Sequence, residues 1–196
     1  MVSGRASRSR GSRVLSSVWR RATKAFAAAV LFSALVVASG SARAQVHLDP
    51  SAPDPDFLSF GVGAFDINYD WTSAAFQAEY ASKSRLWIFH PIAGVMVNSD
   101  MGGDVYAGVA VDLFFGDRWV VTPGFAPSLY WRGSSKNLGE ILEFRSSIDV
   151  AYRFDDRSRL GLEFYHLSNA GLDRHNPGTE VLLAKYSIPI GQISGK

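Results

Sequence analysis

Three residues in the last third of the chain carry the side chains of an acyl-transfer catalyst. His166 and Ser168 stand two positions apart, and Glu180 follows across the next loop. In an extended strand, residues i and i+2 point to the same face with Cα atoms roughly 7 Å apart. An imidazole nitrogen can then reach a neighbouring hydroxyl. A free serine hydroxyl is a poor nucleophile. It becomes a good one when a base takes its proton and a carboxylate fixes and stabilises that base. In this arrangement Ser168 attacks an ester carbonyl, His166 takes the serine proton and returns it to the leaving alcohol, and Glu180 orients the imidazole. Spacing alone leaves a second reading open. A polar side chain at the edge of a membrane-facing surface costs only about 0–1 kcal/mol, so all three also fit as ordinary interfacial residues. Asn169 and Asn176 are open in the same way between turn residues and oxyanion donors.

The chemistry requires one strand that ends near Ser168 and another that begins near Glu180. In Leu160–Asn169, Leu160, Leu162, Phe164, His166 and Ser168 share a face; in Glu180–Ile188, Glu180, Leu182, Ala184, Tyr186 and Ile188 do. Both faces are apolar, so the candidate triad tops an apolar surface. The clearest alternation lies at 142–154. Leu142, Phe144, Ser146, Ile148, Val150, Tyr152 and Phe154 oppose Glu143, Arg145, Ser147, Asp149, Ala151 and Arg153. Period-two alternation marks strands, and runs of on the order of ten residues match strands that cross a bilayer at a tilt. Eight are expected, at 57–67, 72–82, 85–98, 103–115, 118–131, 140–154, 158–170 and 179–190. Tight turns are expected at Ser82-Lys83-Ser84, Gly116-Asp117 and Asp155-Asp156-Arg157, alternating with longer links at 68–71, 99–102, 132–139 and 171–178. Short turns on one side and longer loops on the other are the asymmetry of an outer-membrane barrel. Trp71, Trp87, Trp119 and Trp131 fall near strand ends, where indole rings favour the membrane interface.

The first 44 residues read differently. Residues 1–24 are rich in Arg and Ser, 25–38 form an apolar run too short to span a bilayer, and Ala42-Arg43-Ala44 ends the segment. Together these describe a cleaved secretory signal peptide at 1–44. A Pro-rich lead-in is expected at 45–56 and the barrel at 57–196. The leader carries eight of the 20 Lys+Arg and none of the 18 Asp+Glu, so the remainder has a formal charge of −6. The basic whole-chain pI of about 9.0 is therefore no argument for binding nucleic acid. The absence of cysteine excludes disulfides and thiolate metal sites from the fold.

Phe164-Tyr165-His166-Leu167-Ser168-Asn169-Ala170-Gly171-Leu172, followed by Asn176-Pro177-Gly178-Thr179-Glu180, resembles the signature of the lipid A 3-O-deacylases of Gram-negative outer membranes. Their pattern is H-x-S-N-A-G, an Asn and a Gly in the loop, and a Glu opening the last strand. The motif covers about 17 positions, and a weaker barrel pattern extends the likeness over most of 57–190. The resemblance implies an all-β, eight-stranded antiparallel transmembrane barrel with a Ser-His-Glu triad on its outer surface. It implies hydrolysis of the ester at position 3 of lipid A, releasing a 3-hydroxy fatty acid. His166, Ser168 and Glu180 match the triad, and Gly171 and Asn176 match positions assigned to the oxyanion hole, with Asn169 beside them. One departure is the end Ile190-Gly191-Gln192-Ile193-Ser194-Gly195-Lys196, which lacks the terminal aromatic residue of many such barrels. The assembly signal is then internal, around Tyr186–Ile190, or insertion is less efficient.

The expected partners are lipid A or lipopolysaccharide as substrate and the surrounding outer-membrane lipid, with a homodimer left open and no nucleic acid. The outer-leaflet rim of the outer membrane is the expected place of reaction. No cofactor and no metal are called for; His47, His90 and His175 show no zinc spacing, and Met101-Gly102-Gly103-Asp104 is followed by no helix that would make it a phosphate loop. Two rivals remain at this level: a non-catalytic structural or adhesive barrel, and a barrel phospholipase, which would be larger and often calcium-dependent.

Overall fold

The computed structural model describes residues 46–47, 54–68 and 72–191. The expected leader, most of the expected lead-in, Trp71 and the last five residues lie outside them. Eight antiparallel strands form the body: β1 (Asp56–Phe65), β2 (Ser73–Ala81), β3 (His90–Asn98), β4 (Gly103–Ala110), β5 (Trp119–Trp131), β6 (Leu142–Arg153), β7 (Arg159–Ser168) and β8 (Thr179–Ile190). Each pairs with its sequence neighbour, and β8 pairs back onto β1 from Val181↔Phe65 to Ile190↔Asp56, so the sheet closes and leaves no long edge. A short segment, Leu113–Phe115, continues β4 along β5 in the same register, and Val46–His47 pairs with its end.

The alternation of the sequence is the alternation of the wall. Along β8, Val181, Leu183, Lys185 and Ser187 are buried in the lumen while Leu182, Ala184, Tyr186 and Ile188 face out. The outer face is apolar all round, with Phe60, Val62, Phe76, Val95, Val105, Phe125, Leu129, Val150, Leu160 and Leu162 exposed. Trp119 and Trp131 begin and end β5. Twelve steps along a strand cover roughly 40 Å, or about 28 Å along the barrel axis at a tilt near 45°, the height of a bilayer's hydrocarbon layer.

The lumen is filled rather than open. Arg145 on β6 lies 2.8 Å from Glu163 on β7 and 2.7 Å from Gln77 on β2, and its guanidinium stacks on the Tyr165 and Tyr106 rings. Lys185 on β8 is shared by Asp149 (2.8 Å), Glu79 (3.3 Å) and Glu163 (3.4 Å). A second group at the end carrying both termini of the barrel joins Arg159 to Asp54 and Asp112. These charges are out of water, and each is stable there because a partner of opposite sign stands beside it. Apolar side chains, among them Phe65, Met96, Leu138, Leu167 and Leu183, close the other end.

Two expectations about the connections need correction. The strand expected at 85–98 starts only at His90, so the link after β2 spans Ser82–Phe89 and is no tight turn. Leu86 and Phe89 exchange backbone hydrogen bonds around Trp87, whose φ is +61°. The apolar run Leu86–Phe89 imitates a strand but folds into its own small turn, with Leu86 and Trp87 outside. Connections at the two ends therefore do not alternate strictly between short and long. At the other end, the two ten-residue loops 132–141 and 169–178 are the long ones, and they frame the tops of β6, β7 and β8. Below them, Asp156 pins the turn into β7 by accepting the Ser158 amide and hydroxyl, which hold its carboxyl below the usual range.

Candidate active site

Because β7 and β8 form one hairpin, their register decides what meets. Glu180 is the direct cross-strand partner of His166, Leu182 of Phe164 and Ala184 of Leu162. On the other side, His166 faces Ser146 and Ser168 faces Phe144 on β6. Directly opposed side chains have Cβ atoms about 5 Å apart, within reach of a hydrogen bond between longer side chains. His166 Nδ1 and Glu180 Oε1 are 3.2 Å apart. The pair is half-buried, with the imidazole 43% exposed and the carboxylate 22%. Since Nδ1 faces a carboxylate, it carries the proton, and Nε2 remains the basic nitrogen.

Ser168 is the last residue of β7 and shares the outward face with His166, Phe164, Leu162 and Leu160. The structure thus places Ser168 beside His166 on the same side of the wall. Among the described residues no hydrogen bond joins the serine hydroxyl to the imidazole. Such bonds are often long in free enzymes and tighten once substrate displaces water. The alternate residues Glu163, Tyr165 and Leu167 point into the lumen and are buried there. A carboxylate–imidazole pair and a hydroxyl therefore crown a column of exposed apolar side chains, Leu160, Leu162, Phe164 and Leu182.

The loop 169–178 carries the three supporting candidates, and the structure gives them different situations. Asn169 is fully buried, and its side chain is wholly engaged. Its Nδ2 donates to the Leu138 carbonyl (3.2 Å) and the His175 carbonyl (3.0 Å), and its Oδ1 accepts the Gly171 amide (2.9 Å). It ties its own loop to loop 132–141. The Gly171 amide is accordingly bonded within the loop in this state. Asn176 is exposed; its Oδ1 accepts the Asn169 amide at 3.2 Å, which leaves the Nδ2 group as a donor.

Two features were not foreseen from sequence. Behind Glu180, Asp66 accepts from Thr179 Oγ1 (3.0 Å) and pairs with Lys136 (2.7 Å), which anchors the start of β8 to two other loops. Gly178 lies against the imidazole itself: a Cβ there would sit 2.7 Å from His166 Cε1. The first needs partners 70 and 113 residues away and leaves no local pattern. The second had a signal in the glycine two residues before Glu180. The described residues contain no group of three or more His, Asp or Glu arranged to hold a metal ion.

Comparison with known proteins bears on this geometry. The family model for lipid A 3-O-deacylase (PagL) matches residues 58–189, the whole barrel including the His-x-Ser and Glu positions. The chain belongs to the lipid A 3-O-deacylase (PagL) family. It is 28% identical over 170 residues to the lipid A deacylase PagL of Pseudomonas aeruginosa, covering 81% of this chain and 92% of that protein. It is 27% identical over 90 residues to the lipid A deacylase PagL of Bordetella bronchiseptica, covering 43% of this chain and 51% of that one. A crystal structure of the outer membrane enzyme PagL superimposes with a TM-score of 0.55 at 23% identity, covering 68% of this chain and 99% of the other. That likeness is one of fold, the closed eight-stranded barrel. The family's reaction, removal of an acyl chain from lipid A, makes the chain an ester hydrolase.

Proposed function

We propose that the family's reaction, hydrolysis of the ester at position 3 of lipid A, is carried out here by Ser168 as nucleophile, His166 as base and Glu180 as orienting carboxylate. The observation that carries this reading is the 3.2 Å contact from His166 Nδ1 to Glu180 Oε1, on the outward face next to Ser168. With Nδ1–H held by Glu180, Nε2 accepts the Ser168 proton as Oγ bonds to the acyl carbonyl carbon. The tetrahedral oxyanion collapses, the C–O bond to the sugar breaks, and the proton on Nε2 passes to the leaving sugar oxygen. Water then attacks the acyl-serine with His166 again as base. The 3-hydroxy fatty acid leaves and Ser168 regains its proton.

Asn176 Nδ2 is the free donor for the oxyanion, and Gly171 N–H joins it once it turns from Asn169 Oδ1. Asn169 acts by holding both in one loop. The site opens on the apolar outer face, so the substrate stays in the outer leaflet of the outer membrane. Its acyl chains lie along Leu162, Phe164 and Leu182, and transfer to a lumenal pocket is unnecessary. The test is the purified Ser168→Ala barrel in mixed micelles with lipid A. Loss of fatty-acid release from a barrel that still migrates as folded supports the assignment. Retained turnover refutes it.

A further inference from the structure

Gly178 has φ +63°, and the neighbours of a Cβ built on it are His166 Cε1 at 2.7 Å, His166 Nε2 at 3.2 Å and the Leu167 carbonyl oxygen at 3.5 Å. The last is an ordinary contact, while carbon–carbon contacts favour 3.5–4.0 Å. The side chain nearest the place of the missing one is thus the imidazole. Its filled edge carries Nε2, the nitrogen that the proposed mechanism uses. Other glycines at positive φ differ. Gly116 (φ +65°) has nothing within 4 Å, and Gly133 (φ +57°) abuts the main chain of residues 101–102.

Two restraints therefore act on one ring. Glu180 holds Nδ1 by a hydrogen bond, and the bare main chain at 178 backs the Cε1–Nε2 edge. The backbone at 178 has little room to yield, because Thr179 already pairs with Leu167 in the ladder and its hydroxyl is tied to Asp66. A histidine ring swings about only two torsions, so a methyl group at 178 displaces the ring rather than the strand.

We propose that Gly178 is a positioning residue for His166: the absence of a side chain there fixes the ring orientation that keeps Nδ1 on Glu180 and holds Nε2 in place for Ser168. The inference rests on the triad reading and adds to it why this loop position is a glycine. Displacing a catalytic base by about 1 Å can cost on the order of 100-fold in rate. Substrate binding along the apolar wall does not use the ring edge, so the loss falls on kcat and leaves KM nearly unchanged.

The test compares Gly178→Ala and Gly178→Asn with Gly116→Ala. Asparagine tolerates positive φ yet carries a Cβ, so it separates the steric effect from backbone strain. Gly116→Ala brings the same strain to the far end of the barrel. Lipid A deacylation is measured in micelles, and folding is read from heat-modifiable migration. Ring 15N spectra of histidine-labelled barrel, with the His166 signal assigned by His166→Ala, report the Nδ1 proton. The expectation is a folded barrel, kcat lowered roughly 10- to 100-fold at unchanged KM in both Gly178 variants, and a shifted His166 ring signal. Gly116→Ala should match the parent chain. In a His166→Ala background, Gly178→Ala should cost nothing further.

Normal kcat in both Gly178 variants, with His166→Ala inactive, overturns the proposal and leaves the triad standing. An active His166→Ala chain overturns the triad reading itself. Failure of both Gly178 variants to fold, while Gly116→Ala folds, also overturns the proposal, since Gly178 would then serve the fold and not the ring.

Discussion

Replacing Lys185 by glutamine should destabilise the barrel strongly and leave the chemistry of folded molecules nearly intact. The parity of β8 places Lys185 in the lumen, where it should matter for stability rather than turnover. Its ammonium group is 7% exposed and stands 2.8 Å from Asp149, 3.3 Å from Glu79 and 3.4 Å from Glu163. Glutamine fills the space but removes one of the two cations that hold these carboxylates; the other, Arg145, pairs with Glu163 and with neither Asp149 nor Glu79. Breaking a buried ion pair by deleting one partner costs about 3–5 kcal/mol. Lys185 lies five residues along β8 from Glu180, roughly 16 Å by strand rise, and points to the opposite face. Additivity over that distance keeps kcat of the folded fraction within about twofold. Urea unfolding followed by tryptophan fluorescence, with lipid A turnover per folded molecule, checks both halves. A companion variant, Lys185→Gln with Asp149→Asn, should recover part of the lost stability by removing one unpaired carboxylate. An unchanged unfolding midpoint, or a collapse of turnover in folded Lys185→Gln, refutes the separation of a structural lumen from a catalytic outer face.

Two further perturbations probe the outer face. Glu180→Gln keeps the size of the carboxylate but removes the charge that stabilises the imidazolium, so kcat should fall roughly 10²- to 10⁴-fold with little change in KM; release of 3-hydroxy fatty acid from lipid A measures it, and a loss below tenfold would remove Glu180 from the triad. Leu162→Gln lies four residues below His166 on the same face, and should impair turnover of membrane-embedded lipid A more than that of a small soluble ester; equal losses on both substrates would place acyl binding elsewhere.

The barrel was legible in the chain because its physics is local. Alternation in Leu142–Phe154 or Glu180–Ile188 separates a lipid face from a lumen face without knowledge of any partner strand. The triad candidates were legible for the same reason, since i, i+2 spacing and one hairpin register are enough to assemble them. Where local pattern misled, another energy term won. At Leu86–Phe89 an apolar run sits at the end of the barrel, where burying it in a longer β3 gains less than the turn around Trp87. The lumen network was illegible because its members, such as Gln77 and Arg145 or Glu79 and Lys185, lie 68 and 106 residues apart. Asn169 presents a similar problem. A loop asparagine next to a serine fits a turn residue or an oxyanion donor alike, and its full burial and its bonds to Leu138, His175 and Gly171 depend on how two loops fold together.

On the proposed mechanism, Ser168 is the nucleophile that frees the position-3 acyl chain of lipid A. Mass spectrometry of lipid A from Gram-negative cells expressing the chain tests it most directly. The expected result is a lipid A species lighter by one 3-hydroxyacyl group in cells making the parent chain, and none in cells making equal amounts of folded Ser168→Ala. Lipid A of unchanged mass in cells with the folded parent chain, or the same lighter species with Ser168→Ala, would contradict it.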